Sequence, residues 1–266
     1  MSNKESTNKT LIVAFLLCIM CSIVVSASVI LLKPIQEKNK ALNLKSNILA
    51  AAGLLADGAS SEEIETLFLT IKPLIVDLDT GEYVDPSVVG KKTALNYDQR
   101  KASKDSKLSS VIAGSEDIAS IKRRVKYAKV YLVEAEGEIE TIILPVSGYG
   151  LWSTLHGFLA LERDANTIVG LGFYEHAETP GLGGEVDNPR WKAIWPGKKV
   201  YNLEKSDEPV IALIKGSVDK TKPNAVYSID GLSGATLTSR GVTNLVQYWT
   251  GEQGFKQYLN RLRKGV

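Results

Sequence analysis

Cysteine and histidine are almost missing from this chain, which has two of each in 266 residues. Both cysteines, Cys18 and Cys21, lie inside one apolar run, so everything after Leu32 is without a disulfide, a thiolate nucleophile or a cysteine metal site. His156 and His176 are too few for most catalytic metal centres. If such a chain moves electrons, it must do so with an organic cofactor. An excess of one charge is lacking too: the formal net charge of +2 gives no electrostatic ground for a nucleic-acid partner. Basic residues gather at Lys91–Lys92, Arg100–Lys107 and Lys122–Lys129, but no aromatic stacking platform accompanies them, and they read as solvated surface.

Charge is absent altogether from Leu11 to Leu32, a run of 22 residues. At about 1.5 Å per residue it reaches roughly 33 Å, enough to cross a bilayer core of about 30 Å. A cleaved signal peptide is the rival reading. Ser26-Ala27-Ser28 resembles a cleavage site, but the apolar run continues past it, which favours a retained anchor. Within such a helix Cys18 and Cys21 read as small packing residues. Flanking charge leaves the orientation open, with Lys4 and Lys9 before the run and Lys33, Lys38, Lys40 and Lys45 after it.

Beyond the anchor, helix formers predict a helix that continues to about Asp57-Gly58. Ser60-Ser61-Glu62-Glu63 predicts the start of a second, with Ile64, Leu67, Phe68 and Ile71 on one face. A short hairpin is expected at Asp79-Thr80-Gly81. Residues 90–120 are polar and lysine/serine-rich, and read as a loose connection or a frayed helix. From Tyr127 the pattern turns to strands, with a hairpin at Glu136-Gly137. "GLWSTLHGFLAL" and "NTIVGLGFYEH" are expected to extend that sheet, and "EPVIALIKG" and "AVYSI" to add strands, around a short helix in "NPRWKAIWPG". Val242, Leu245, Val246 and Trp249 have the spacing of a buried helical face. The fold class is α+β on a membrane stalk. Expected boundaries are a tail at 1–10, the anchor at 11–32, a membrane-proximal helical and hairpin region at 33–125, and a mixed α/β domain at 126–266.

Three glycine-bearing stretches compete for the chemistry. Gly148-Tyr149-Gly150 follows a strand but leads into another strand, so it is no dinucleotide loop. In "HAETPGLGGE" the glycines let backbone approach a flat ligand, while Glu178 and Thr179 offer polar contacts; a plain surface loop has the same composition. In "IDGLSGATLTSRGV", Asp230-Gly231 ends a strand just before a helix. There Ser233 or Thr236 would serve as N-cap, or the helix start would receive a phosphate.

"DGLSGATLTS" resembles the signature Asp-Gly-x-Ser/Thr-Gly-Ala-Thr of membrane redox subunits that carry covalent FMN. "ETPGLG", Glu178 to Gly183, and "GYGLWS", Gly148 to Ser153, resemble two further signatures of that family. The resemblance implies that Thr236 forms a phosphoester with FMN. A separate flavin transferase would make the bond from FAD, releasing AMP. It also implies that Asp230, Ser233, Gly234 and Ala235 surround the linkage, and that Glu178, Thr179, Gly181, Leu182, Gly183 and Trp152 lie against the flavin. The family includes the C-subunit of the Na(+)-translocating NADH:quinone oxidoreductase and the generally shorter G-subunit of Rnf electron-transport complexes. "KNKALNLKSNILAAAGL" and "VDLDTGEYV" look like the former.

The implied role is an electron-relay subunit in a six-subunit, sodium-pumping complex of a bacterial inner membrane, spanning it once with the FMN domain on the periplasmic side. Its partners would be the other subunits, the transferase and membrane lipid, with no nucleic acid, no metal and no complete active site of its own. The alternatives are an Rnf-type subunit and an anchored binding module without a redox role.

Overall fold

The computed structural model describes residues 7–56 and 58–265, which fall into two compact units, one ending at Leu44 and the other beginning at Lys45. The expected span lies within α1, Thr7–Ala51. An 18-residue window of this helix has mean hydropathy 2.8 and no buried residue, so it is long and apolar enough to cross a membrane. Cys18 and Cys21 are free and exposed on it.

In the second unit α1 stops at Ala51, short of the expected Asp57-Gly58. Gly53 takes φ +70°, and the amides of Gly53 and Leu54 return to the carbonyls of Ala50 and Leu49. That closing pair ends a helix wherever a residue accepts the left-handed conformation, and Gly53 is the first that does so without strain. Asp57 and Lys4 lie outside the described residues. Next comes α2, Ser61–Phe68, begun by the expected Ser60/Glu63 capping box. Ile64 and Phe68 are buried on it; Ile71 is buried too, but it opens a strand rather than extending the helical face.

The strands are β1 (Ile71–Asp77), β2 (Tyr83–Val84), β3 (Ser109–Val111), β4 (Arg123–Val125), β5 (Tyr127–Ala135), β6 (Glu138–Tyr149), β7 (Thr154–Glu162), β8 (Ile168–Glu175), β9 (Ala212–Ile214) and β10 (Ser228–Asp230). One six-stranded antiparallel sheet has the order β2-β1-β5-β6-β7-β8. The hairpin of β1 and β2 turns where expected, with Gly81 at φ +72°. The next turns at Glu136 (φ 54°) and Gly137 (φ 85°), both left-handed as a two-residue hairpin requires. β9 and β10 pair parallel in a small sheet of their own instead of extending the large one. Because β1 pairs along its whole length with β5, the main sheet straddles the expected division at 125/126.

Successive side chains alternate between the two faces of the sheet. Val130, Leu132, Ile142, Leu144 and Val146 share a core with Val242, Leu245, Val246 and Trp249 of α5, Thr236–Thr250. In chain order α3, Gln99–Ala102, follows β2 and α4, Pro189–Lys192, follows β8; α6, Lys256–Arg263, is the last helix. Tyr131, on the opposite parity, meets Phe68 of α2 and Phe158 of β7 edge to face, at 6.5 and 6.0 Å between ring centroids. On this side the end of α1 rests on β8, so closely that a Cβ on Gly170 would lie 2.5 Å from the Ala51 carbonyl oxygen.

Residues 90–120 are not loose. Ala94, Tyr97, Ala102, Ile112 and Ala119 are buried, and the Tyr97 hydroxyl donates to the Tyr127 carbonyl at 2.7 Å. Sparse apolar residues among lysines suffice when each one is a wedge. Lys91 and Lys92 are exposed as expected, but the other two basic clusters are not simply solvated. Arg100 binds Glu175 through both guanidinium ends, at 2.7 and 2.8 Å, and Arg124 donates to the Gln253 carbonyl. Lys129 is buried, donates to the Leu95 carbonyl, and is pushed down to about 8 by that burial.

The contrast between two neighbouring glycines makes this packing testable. A Cβ on Gly170 collides with α1, whereas a Cβ on Gly172 meets nothing within 4 Å. Gly170→Ala is expected to destabilise the domain by about 1–3 kcal/mol, and Gly172→Ala to leave it unchanged within about 0.5 kcal/mol. Urea unfolding of the two variants makes the comparison.

Candidate functional site

The three signature stretches converge on one carboxylate. Glu178 follows β8, and its side chain is buried, with the residue only 5% exposed. Its Oε1 accepts the backbone N–H groups of Trp152, Leu151 and Ser153 at 3.0, 3.1 and 3.2 Å, which fixes the turn between β6 and β7. Its Oε2 accepts the Thr238 hydroxyl at 2.7 Å, which ties the same group to the first turn of α5. Two glycines make room for this: a Cβ on Gly150 or Gly183 would lie 2.7 Å from a carboxylate oxygen. Burial alone would raise the Glu178 carboxyl, but hydrogen bonds from Thr238 and the three amides outweigh it and hold the group below its usual 4.5.

The loop from 176 to 184 is fixed at both ends. His176 Nδ1 accepts the Glu178 N–H at 3.2 Å, so the ring proton sits on Nε2 and is donated to Asp187 at 2.7 Å. The Ser153 hydroxyl accepts the Ala177 N–H. The Thr179 carbonyl accepts the amides of Leu182 and Gly184, while Gly181 takes φ +75° at the turn. Thr179 and Gly181 are themselves exposed.

α5 begins earlier than its apolar spacing suggested, with Thr236 as its first residue. Neither Ser233 nor Thr236 is the cap; Ala235 holds that place and offers no side-chain acceptor. Ser233 and Thr236 are exposed, and Gly234 at φ +71° brings the loop against the other signature, where a Cβ would lie 3.0 Å from Leu182. Gly241 lets α5 run close under β6, since a Cβ there would meet the Tyr149 carbonyl at 2.4 Å. Asp230 is half-buried and braces the loop: its Oδ1 accepts the Val218 N–H and its carbonyl accepts Trp191 Nε1.

The result is an uncapped helix start with an exposed hydroxyl at its first position, beside exposed apolar side chains. Trp152 is 65% exposed, Leu237 52% and Leu182 44%. The free amides of such a helix start, and its dipole, suit a phosphate, and Arg240 stands one turn further along the same helix face. Thr238, His176 and Asp187 are the residues that the sequence reading did not select. Thr238 was legible only through its spacing, two positions beyond Thr236 and therefore turned inward when Thr236 faces out.

Glu178→Gln replaces one acceptor oxygen with a donor that faces other donors. It is expected to cost about 1–3 kcal/mol at neutral pH. A depressed carboxyl contributes stability above its unfolded value and loses it as pH falls through the folded one. The difference between wild type and Glu178→Gln should therefore be full at pH 7 and shrink below 4.5, which a set of denaturation curves across that range would register.

A family model described as an FMN-binding domain matches residues 150–251, the stretch that holds all but the first two residues of the three signatures. The chain is 50% identical over 266 residues to the C-subunit of the Na(+)-translocating NADH-quinone reductase of Pseudomonas aeruginosa, covering 100% of this chain and 99% of that one. It is 40% identical to the corresponding C-subunit of Yersinia pestis, covering 99% and 96%. The crystal structure of Shewanella oneidensis NqrC superposes with a TM-score of 0.75 at 34% identity, covering 85% of this chain and 99% of that one. Likeness along the whole length, anchor included, makes this chain a member of the NqrC family, the C-subunits of Na(+)-translocating NADH-quinone reductases.

Proposed function

We propose that this chain is the subunit of a sodium-pumping NADH-quinone reductase that carries FMN, esterified through its phosphate to Thr236, and relays electrons between redox centres of neighbouring subunits. The observation that carries the reading is the exposed Thr236 hydroxyl at the uncapped start of α5, in a loop held against the other two signatures. When bound, FMN supplies the one- and two-electron chemistry. The chain's residues hold and orient it: the first amides of α5 receive the phosphate, the Gly181–Gly183 backbone and Leu182 form one wall, and the exposed indole of Trp152 offers an aromatic face.

The remaining attributes follow from the same reading. A flavin transferase makes the ester from FAD and releases AMP. A covalent bond suits a site this open, because a ligand held only by exposed contacts would dissociate. Leu11–Leu32 anchors the chain in a bacterial inner membrane, with the second unit on the periplasmic side. NADH oxidation, quinone reduction and the sodium path belong to the other subunits; this chain contributes a carrier. Similarity over the full length to NqrC proteins favours this complex over an Rnf-type one.

Protein made together with the transferase should give an in-gel fluorescent band after denaturation. The peptide containing Thr236 should gain the mass of one FMN residue. Thr236→Ala is expected to fold with unchanged circular dichroism and remain dark; a fluorescent Ala variant would move the acceptor elsewhere. Trp152→Ala should stay fluorescent but shift the midpoint potential of the bound flavin, and an unchanged redox titration would remove the indole from the site.

A further inference from the structure

Basic side chains crowd around the Asp230 end of the acceptor loop, although the chain as a whole is nearly neutral. Residues 189–199 and 215–230 hold seven lysines and arginines and two aspartates, a net +5 against +2 for the whole chain, which leaves −3 for everything else. Three separate segments bring them there. α4 carries Arg190 and Lys192, and between them Trp191 donates its indole N–H to the Asp230 carbonyl at 3.0 Å. Lys198 donates to the Ala225 carbonyl at 2.7 Å and lies within electrostatic reach of Asp230 and Lys220. The loop after β9 wraps Asp230 directly: the Val218 amide binds its carboxylate, the Gly231 amide binds the Gly216 carbonyl, and a Cβ on Gly231 would lie 3.8 Å from the Lys215 Cα.

The acids nearby are already engaged. Asp230 accepts from Val218, Asp219 accepts the amide and hydroxyl of Thr221, and Asp187 is shared by His176 and Lys192. Among the described residues Arg190, Lys215, Lys220 and Lys222 have no ion-pair partner, and all four are exposed. Like charges held together in this way cost the folded domain stability, and their use lies in what they attract.

We propose that this lysine-rich rim is the docking surface for an acidic face of the enzyme that transfers flavin to Thr236, an inference that rests on the reading of Thr236 as acceptor. Charge selects this partner over a redox subunit. The transferase must find the loop, act once and leave, so its encounter gains from long-range steering rather than from a large apolar contact that would resist release. A redox partner inside a standing complex is held by the assembly and needs no such steering. The rim also leaves the exposed apolar side chains Trp152, Leu182 and Leu237 free for the flavin itself.

The test uses the full chain in detergent, purified without flavin, with the transferase and FAD, and reads the initial rate of fluorescent band formation. Lys215, Lys220 and Lys222 are changed together to glutamate, and in a second variant to glutamine. Lys91→Glu with Lys92→Glu, a pair outside the rim, serves as the control. At low ionic strength the glutamate variant is expected to be slower by tenfold or more and the glutamine variant by less, with the control at the wild-type rate. The differences should close as salt rises and the screening length falls below about 10 Å. Long incubation should bring both rim variants to full fluorescence, which separates slow docking from a damaged acceptor. Wild-type rates in both rim variants, or a deficit that salt does not relieve, would overturn the docking surface. A wild-type chain that stays dark would instead overturn the assignment of Thr236.

Discussion

One carboxylate holds the site together. Among the described residues Glu178 is the only side chain that binds both the turn joining β6 to β7 and the first turn of α5, and its own loop carries the third signature. Remove it and three segments far apart in sequence have no common partner. Its burial would be costly for a lone charge, but three amides and a hydroxyl satisfy it, and two glycines leave the space it needs. The same arrangement explains why "ETPGLG" has an acid at its head: that acid organises the neighbouring backbone, while the exposed Thr236 hydroxyl belongs to another loop.

The sheet provides what the carboxylate cannot, a fixed distance between those segments. β6, β7 and β8 are adjacent, so the turn between the first two and the loop after the third emerge at the same end. α5 lies across β6 with Leu245 against Gly148, and Trp249 donates to the Ser147 carbonyl. Thus the helix start is set by packing along the rest of the helix. The Arg100–Glu175 pair pins the last residue of β8 to the polar segment between β2 and β5, and the Tyr149 amide binds the Ala119 carbonyl. A stretch that reads as filler in sequence therefore braces two of the three loops.

What could be read in advance had local causes. The anchor is a matter of length and missing charge, the hairpins of residues that tolerate positive φ, and the second helix of a capping box, all visible within a few residues. The packed character of residues 90–120 depends on wedges such as Tyr97 and Ala102 that acquire meaning only once the sheet exists. The start of α5 was placed late because its first turn, Thr-Leu-Thr-Ser, lacks the apolar stripe; tertiary contacts through Thr238 and Ser239 hold it helical instead. The site was legible as three motifs, but not as a geometry. No spacing rule says that Glu178 should reach Thr238, or that Asp230 should bind the Val218 amide and brace a loop.

The missing cap at Ala235 has a further consequence. A helix start without a side-chain acceptor frays, and forgoing a cap costs about 1 kcal/mol. Here the loosening cannot spread, because the buried hydroxyl at position 238 is locked two residues in. Only Thr236 and Leu237 stand exposed ahead of that lock. The protein thus presents a short exposed turn on a buried mount, and an anion bound to its free amides would supply the acceptor that the missing cap does not.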